Sequence, residues 1–355
     1  MARGDEVPWD LVDRCLLPVL FSHAAAVILS TILNTLGLSK ISTFAIFLWL
    51  VAISLAIVFF YHNLKVSAAG KGILITGCES PIGYTTARRL DEQGFTVYAG
   101  FLNKDSDDAK KLKEESSGRL HLLQLDVTSE KEIQAAAEYV KQNLPPGATG
   151  LWALVNNATW ASFGEVEWVP FAVLKKAADV NLLSVIRLTQ VFLPLLRKTK
   201  GRVVNLVSIL GRIASPFRSA YCTTKFGVEA FSECLRLEMR RWGVDVVVVE
   251  PGDYTTGNTW FTNDTLLEQA RLMWKTMSEE ARKEYGEDYF EQKVRALETY
   301  TKGPATDLGP VIRALSDAVT RTFPLPRYTP ITRAEKIQIL VADHLPRSVY
   351  DILYT

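Results

Sequence analysis

Residues 72–83 read GILITGCESPIG: an apolar run, a glycine-containing turn, then the start of a helix-forming stretch. Ile73-Leu74-Ile75 is apolar without alternation, as a strand covered on both faces requires. A turn of this kind sets backbone N–H groups and the positive end of a helix dipole against a pyrophosphate. Glycines close strands for other reasons too, so the turn takes its meaning from the pattern of the chain beyond it.

That pattern is alternation. Residues 96–101, 120–126, 151–155, 202–208 and 244–250 are further strand candidates with nearly all-apolar interiors. Between them, residues 83–93, 130–143, 171–197 and 221–242 have helical character. Repeated strand–helix alternation specifies an α/β fold, a doubly wound parallel sheet of Rossmann type, across residues 70–330. Residues 264–300 are helical and carry Leu266, Leu267, Leu272, Met273 and Trp274, either covering a pocket or packing as a plain amphipathic stripe. Residues 331–355 form an amphipathic extension that Pro346 interrupts.

Residues 1–66 are different. FAIFLWLVAISLAIVFFY (44–61) has no charged residue, and its eighteen residues would span about 27 Å as a helix, close to a bilayer core. Residues 16–38 are a weaker second span, interrupted by Pro18, His23, Asn34 and Gly37. The expectation is a hydrophobic membrane anchor: a hairpin of two spans, or one span with an interfacial helix. Asp5, Glu6, Asp10 and Asp13 argue against a signal or transit peptide, and Lys65 and Lys71 place the following domain in the cytosol.

Forty Lys+Arg against thirty-nine Asp+Glu leave a net charge of +1, which excludes a basic field for nucleic acid. Four cysteines (Cys15, Cys78, Cys222, Cys234) make no disulfide framework, and four scattered histidines argue against a zinc site.

Two groups of residues carry chemistry. At the cofactor end, Asp126 closes the third strand, where it would accept from an adenine amine or serve local helix-start structure. Asn157, after the fourth strand, would sit near the adenosine ribose. An acid about twenty residues past the glycine turn would select NAD over NADP, but that stretch is Phe101-Leu102-Asn103-Lys104-Asp105. It offers no arginine pair for a 2′-phosphate, and Glu79 would repel one, so NAD is expected. At the chemical end, Ser208 closes the fifth strand and Tyr221-Cys-Thr-Thr-Lys225 opens a helix thirteen residues later. The i, i+4 spacing puts phenol and ammonium on one face, where a cation favours the phenolate needed as base. Ser208 would hydrogen-bond the substrate oxygen, and Asn181 would hold a water linking Lys225 to solvent.

Together these residues resemble the short-chain dehydrogenase/reductase family over roughly residues 70–330. Within it they are most similar to a membrane-associated subgroup: D-β-hydroxybutyrate dehydrogenase, the type 2 11β- and 17β-hydroxysteroid dehydrogenases, and retinol dehydrogenases. The resemblance implies a catalytic tetrad of Asn181, Ser208, Tyr221 and Lys225. Cofactor contacts are expected at Gly77, Ser80, Ile82, Gly83, Asp126, Val127, Asn157, Pro251, Gly252 and Thr256. Two positions depart from the family pattern: Pro81 replaces the middle glycine of the turn, and Thr159 replaces the glycine of Asn-Asn-Ala-Gly.

The expected function is hydride transfer between NAD(H) and a secondary alcohol or ketone, the substrate lipophilic and steroid- or retinoid-like. The alternatives are a small hydroxy acid such as D-3-hydroxybutyrate, for which Arg212 or Arg218 would supply a cation, and a non-catalytic scaffold. Expected partners are membrane lipid and further copies of the chain, as homodimer or homotetramer. The expected location is the endoplasmic reticulum membrane, with the mitochondrial membrane as alternative.

Overall fold

A computed structural model describes residues 9–38, 42–254, 262–302 and 306–354. The chain forms two compact units, Met1–Val66 with Thr320–Leu325, and Ser67–Val319 with Pro326–Thr355.

In the first unit, α1 (Trp9–Thr35) and α2 (Thr43–Asn63) pair as an antiparallel hairpin. The few polar side chains face the partner helix: Ser22 meets Ser54 at 3.1 Å, and Ser30 meets Thr43 at 2.9 Å. Large apolar groups such as Phe21, Trp49 and Phe60 point outward. Apolar outside and hydroxyl-paired inside is the arrangement of helices in lipid. Arg14–Thr35 and Thr43–Asn63 are both long and apolar enough to cross a bilayer. Residues 320–325 join this unit: Val66 N–H donates to the Thr320 carbonyl at 2.8 Å and Thr322 N–H to that of Leu64 at 2.9 Å.

The second unit is a seven-stranded parallel sheet: β1 (Gly72–Ile75), β2 (Thr96–Phe101), β3 (Leu120–Gln124), β4 (Ala153–Asn156), β5 (Arg202–Leu206), β6 (Asp245–Val249) and β7 (Arg327–Tyr328). Its order is β3-β2-β1-β4-β5-β6-β7, so the winding reverses between β1 and β4 and a crevice opens at their carboxyl ends. Helices α3 (Pro81–Glu92), α4 (Asp107–Glu115), α5 (Glu130–Gln142), α6 (Phe171–Ala178), α7 (Ser184–Thr199) and α8 (Ser219–Met239) connect the strands. A core of Leu74, Tyr98, Leu154, Phe192 and Val203, all fully buried, lies between the sheet and these helices. The α6–α7 stretch is also apolar enough for a span, but its Leu188, Phe192 and Leu196 are fully buried in that core.

The strands end within two residues of the sequence expectation, and the residues beyond them turn toward the crevice. Two elements are new. Ser106 caps α4 by accepting from Ala109 N–H at 3.3 Å. β7 is two residues long between Pro326 and Pro330, too short to carry a pattern. The helical region after β6 is α9 (Asn263–Thr276), α10 (Glu279–Tyr285) and α11 (Glu287–Lys302), with α12 (Gly309–Thr320) after it. Pro346 separates α13 (Arg333–His344) from α14 (Arg347–Tyr354). These last two helices are not a free extension, because Ile339 and Tyr350 pack with Ile209 and Ile213 inside the second unit.

The hairpin makes a direct prediction. After alkaline carbonate extraction the whole chain should stay in the membrane pellet, and a chain beginning at Ser67 should move to the supernatant. A whole chain found in the supernatant would exclude the spanning hairpin.

Candidate active site

The floor of the crevice is the turn after β1. Gly77 has φ +68°, and a Cβ there would lie 2.7 Å from the Ala158 Cα. A Cβ on Gly83 would meet the Gly77 carbonyl oxygen at 2.4 Å. Ser80 caps α3, its hydroxyl accepting from Gly83 N–H at 3.1 Å and donating to the Gly77 carbonyl at 2.8 Å. Pro81 occupies the first helical turn, where a missing N–H costs nothing. Ile82 therefore carries the first helical N–H of α3, for which the helix itself has no acceptor. That donor, aimed out of a helix N-terminus, suits a pyrophosphate oxygen.

Asn157 is placed otherwise than expected. Its amide faces the turn, with Nδ2 within reach of the Thr76 and Gly77 carbonyls, both at 2.8 Å, and of Ser80 Oγ at 3.1 Å. Being buried there, it braces the turn, and it is closed to a glycan despite the sequon it begins. Thr76 Oγ1 completes the brace by accepting from the N–H groups of Asn157 at 3.1 Å and Ala158 at 3.0 Å.

At the neighbouring edge, Asp126 takes the second of its two expected roles. Its Oδ1 accepts from Thr128 N–H at 2.8 Å and Oγ1 at 2.7 Å, forming a local turn before α5. Val127 is buried beside it. Burial raises the Glu79 carboxyl pKa, hydrogen bonds from its own backbone and that of Leu102 oppose this, and nearby Asp126 raises it further. Two carboxyls thus share the edge formed by the ends of β2 and β3.

At the chemical end, Ser208, Tyr221 and Lys225 line one cavity of about 360 Å³ with Ile82, Thr159 and Gly252. Ser208 Oγ accepts from Leu210 N–H at 3.2 Å. Lys225 is 2% exposed, donates to the Leu206 carbonyl at 3.0 Å, and sits 5.3 Å from the centre of the Tyr221 ring. Burial pushes the Tyr221 phenol up to about 12, while the Thr159 and Ser208 hydroxyls and the Arg218 cation pull it back. Burial draws Lys225 down to about 7 against the opposing charge of Glu229. The lysine charge is therefore present below about pH 7 and lost above it, which leaves Arg218 as the permanent cation near the phenol.

Asn181 lies on a single π turn, Asp179–Leu183, between α6 and α7. Its Oδ1 accepts from Trp160 N–H at 2.7 Å and Thr159 Oγ1 at 3.3 Å; its Nδ2 donates to the Trp160 carbonyl at 2.7 Å and Thr224 Oγ1 at 3.1 Å. All four positions of the amide are filled by protein, so its side chain ties the post-β4 segment to α8 and does not hold a water as expected.

Of the two candidate arginines, Arg212 is engaged by Glu250 at 3.4 Å and by Asp343, whereas Arg218 lines the cavity with its guanidinium 5.2 Å from the Phe163 ring centre. Arg218 comes directly after Phe217, a bulky residue held at φ +63°. Pro251 and Gly252 close the cavity, and Thr256 lies outside the described residues. The sequence did not signal Glu335, which accepts from Asp253 N–H at 3.0 Å and sits where a Cβ on Gly252 would fall. Nor did it signal Gln338, Tyr350 and Tyr354, which bring α13 and α14 into the cavity wall. Only packing between distant segments shows them.

The geometry agrees with what the chain is similar to. A short chain dehydrogenase family model matches residues 71–266. Mitochondrial D-beta-hydroxybutyrate dehydrogenase of Mus musculus is 43% identical over 83% of this chain and 86% of that protein. Retinol dehydrogenase 16 of Mus musculus is 38% identical (80% of this chain, 87% of that protein), and human 17-beta-hydroxysteroid dehydrogenase type 6 is 37% identical (80% and 88%). The crystal structure of a short-chain dehydrogenase from Streptomyces avermitilis shares the fold, with TM-score 0.62 and 23% identity over 80% of this chain and 96% of that one.

Replacing Asn157 by Ala should leave the Thr76 and Gly77 carbonyls unsatisfied and cost roughly 2–4 kcal/mol, read as a lower unfolding midpoint. NADH affinity should fall with it. An unchanged midpoint would mean that the amide does not brace the turn.

Proposed function

The chain belongs to the short-chain dehydrogenase family, and from that premise we propose that it is a membrane-anchored dehydrogenase or ketone reductase linked to NAD(H). It is an oxidoreductase of CH–OH groups that uses a nicotinamide dinucleotide and a small-molecule substrate, and its apolar helices associate it with a membrane. The observation that carries the finer reading is the single cavity shared by Ser208, Tyr221, Lys225 and Arg218.

Gly77, Ser80, Ile82 and Gly83 would hold the pyrophosphate, and Thr159, Pro251 and Gly252 would flank the nicotinamide. When bound, the dinucleotide supplies the hydride acceptor for alcohol oxidation and the donor for ketone reduction. The Ser208 hydroxyl hydrogen-bonds the substrate oxygen and fixes it beside Tyr221. The Tyr221 phenolate takes the alcohol proton, and the phenol returns it in the opposite direction. Arg218 stabilises the phenolate at any working pH, and Lys225 adds to this below about pH 7. Because burial raises the phenol to about 12, alcohol oxidation, which needs the phenolate, should rise steadily from neutral to alkaline pH. Ketone reduction, which needs the phenol, should not.

Glu79 and Asp126, with no arginine pair in the Leu102–Lys104 stretch, favour NAD over NADP by repelling a 2′-phosphate. An apolar lining that includes Phe163, Ile209 and Ile213 supports a lipophilic alcohol as substrate. Arg218 supports a second reading, a small hydroxy acid whose carboxylate it would bind. The exposed Phe171, Leu183 and Phe226 of the α6–α8 region favour a homodimer or homotetramer. The endoplasmic reticulum membrane with a cytosolic catalytic domain is the proposed location, and the mitochondrial relative supports the alternative.

The test is NAD-dependent oxidation of D-3-hydroxybutyrate and of the 3-hydroxysteroid androsterone by detergent-solubilised protein. Tyr221→Phe should lower kcat by roughly 10²–10⁴-fold on either. Arg218→Ala should raise KM for the acid by roughly 10–100-fold, as expected for a lost charged hydrogen bond, and leave KM for the steroid little changed. Equal changes in KM for both would remove the acid reading. Turnover of neither would remove the proposed function.

A further inference from the structure

Thr159 stands where the family pattern has glycine, at the first position after Asn156-Asn157-Ala158. The structure gives its side chain a definite place. It lines the cavity with Ser208, Tyr221 and Lys225, and its Oγ1 donates to Asn181 Oδ1 at 3.3 Å. A threonine hydroxyl has one hydrogen to give and lone pairs to receive. The hydrogen given to Asn181 is not essential there, because the same Oδ1 accepts from Trp160 N–H at the shorter distance of 2.7 Å. The Nδ2 hydrogens of Asn181 are held independently by the Trp160 carbonyl and Thr224 Oγ1. The Thr159 hydroxyl can therefore turn away from Asn181 without leaving a buried acceptor unsatisfied.

We propose that Thr159 is a positioning residue for the acid–base step, its hydroxyl turning between Asn181 and the Tyr221 phenol oxygen as the phenol loses and regains its proton. With Tyr221 protonated, the phenol O–H donates to Thr159 Oγ1 while the threonine hydrogen rests on Asn181 Oδ1. With Tyr221 ionised, the same hydrogen turns to the phenolate, and Asn181 keeps its bond from Trp160. No proton passes through Thr159, and no covalent bond to it is made or broken. The phenolate thus gains a fixed donor from the protein, besides Ser208, which the substrate oxygen engages. This rests on the dehydrogenase reading above.

Tyr221 is faced by groups from several elements. From its own helix come Lys225, which Glu229 faces in turn, and the Cys222 thiol, whose charge would oppose the phenolate. From the loop before the helix comes Arg218, from the end of β5 the Ser208 hydroxyl, and from the end of β4 Thr159. Among these, Thr159 and Ser208 are the uncharged hydroxyl donors, and Ser208 is taken up by the substrate.

Thr159→Val keeps the β-branched shape and removes the hydroxyl, Thr159→Ser keeps the hydroxyl, and Thr159→Gly restores the family residue. With NAD and either D-3-hydroxybutyrate or androsterone, the rising limb of log kcat/KM against pH should move up by about one unit in the Val and Gly variants. That corresponds to about tenfold less activity at a fixed pH on the limb. The Ser variant should match the wild type, and all three should bind NADH within about twofold of it. A Val variant with an unmoved limb overturns the proposal. So does one whose loss lies wholly in NADH affinity, since that would make Thr159 a cofactor contact only. If the wild type itself oxidises neither alcohol, the dehydrogenase reading falls and this proposal with it; wild-type turnover with an unmoved Val limb removes the proposal alone.

Discussion

The approach of Gly77 to Ala158 governs this molecule. The two backbones come so close that a single added carbon on Gly77 would lie 2.7 Å from the Ala158 Cα. They meet where the sheet reverses its winding, between β1 and β4. The Thr76 hydroxyl and the Asn157 amide hold them there, each from its own strand. This contact aims the N-terminus of α3 out of the sheet. It also delivers the chain leaving β4 directly into the cavity, so Thr159 lies near Asn181 and Tyr221 because Asn157 is fixed. One brace serves both ends of the site.

Desolvation does the second part of the work. Tyr221 and Lys225 are both displaced from their ordinary titration, the phenol upward and the ammonium downward, and the same burial causes both. A buried lysine is a weak permanent charge, and Arg218, which cannot deprotonate, covers the alkaline range. Below the cavity, Glu250 closes β6 wholly buried, held by Arg212 at 3.4 Å and also by Arg327 of β7. Arg327 also binds Glu229 at 2.8 Å, and Arg212 also binds Asp343 of α13. Burial pushes the Glu250 carboxyl up while the two arginines pull it down. The chain of charges links the helix that carries Lys225 to the helices that form the cavity wall.

Much of this is legible in the residues. Unbroken apolar runs locate six strands because parallel strands buried on both faces admit little else. The offset from Ser208 to Tyr221 and Lys225 is informative because a strand end and a helix face fix where side chains go. Pro81 is tolerable at a helix start, and that is where it sits. The direction of a side chain at a turn is not legible. Asn157 faces inward and Asp126 closes on Thr128, although each position suggests a ligand. β7 is held by its pairing to β6 and by ion pairs to Glu229 and Glu250, partners 98 and 77 residues away, which no local pattern announces. In the sequence, Thr159 is only bulk in place of glycine, since the value of its hydroxyl depends on Asn181, 22 residues on.

The central claim is that the β1–β4 contact makes a working dinucleotide site in spite of Pro81 and Thr159. It is tested most directly by titrating the detergent-solubilised chain with NADH and NADPH, reading energy transfer from its eight tryptophans. The account predicts saturable NADH binding, with NADPH clearly weaker. Folded protein that binds neither nucleotide would contradict it.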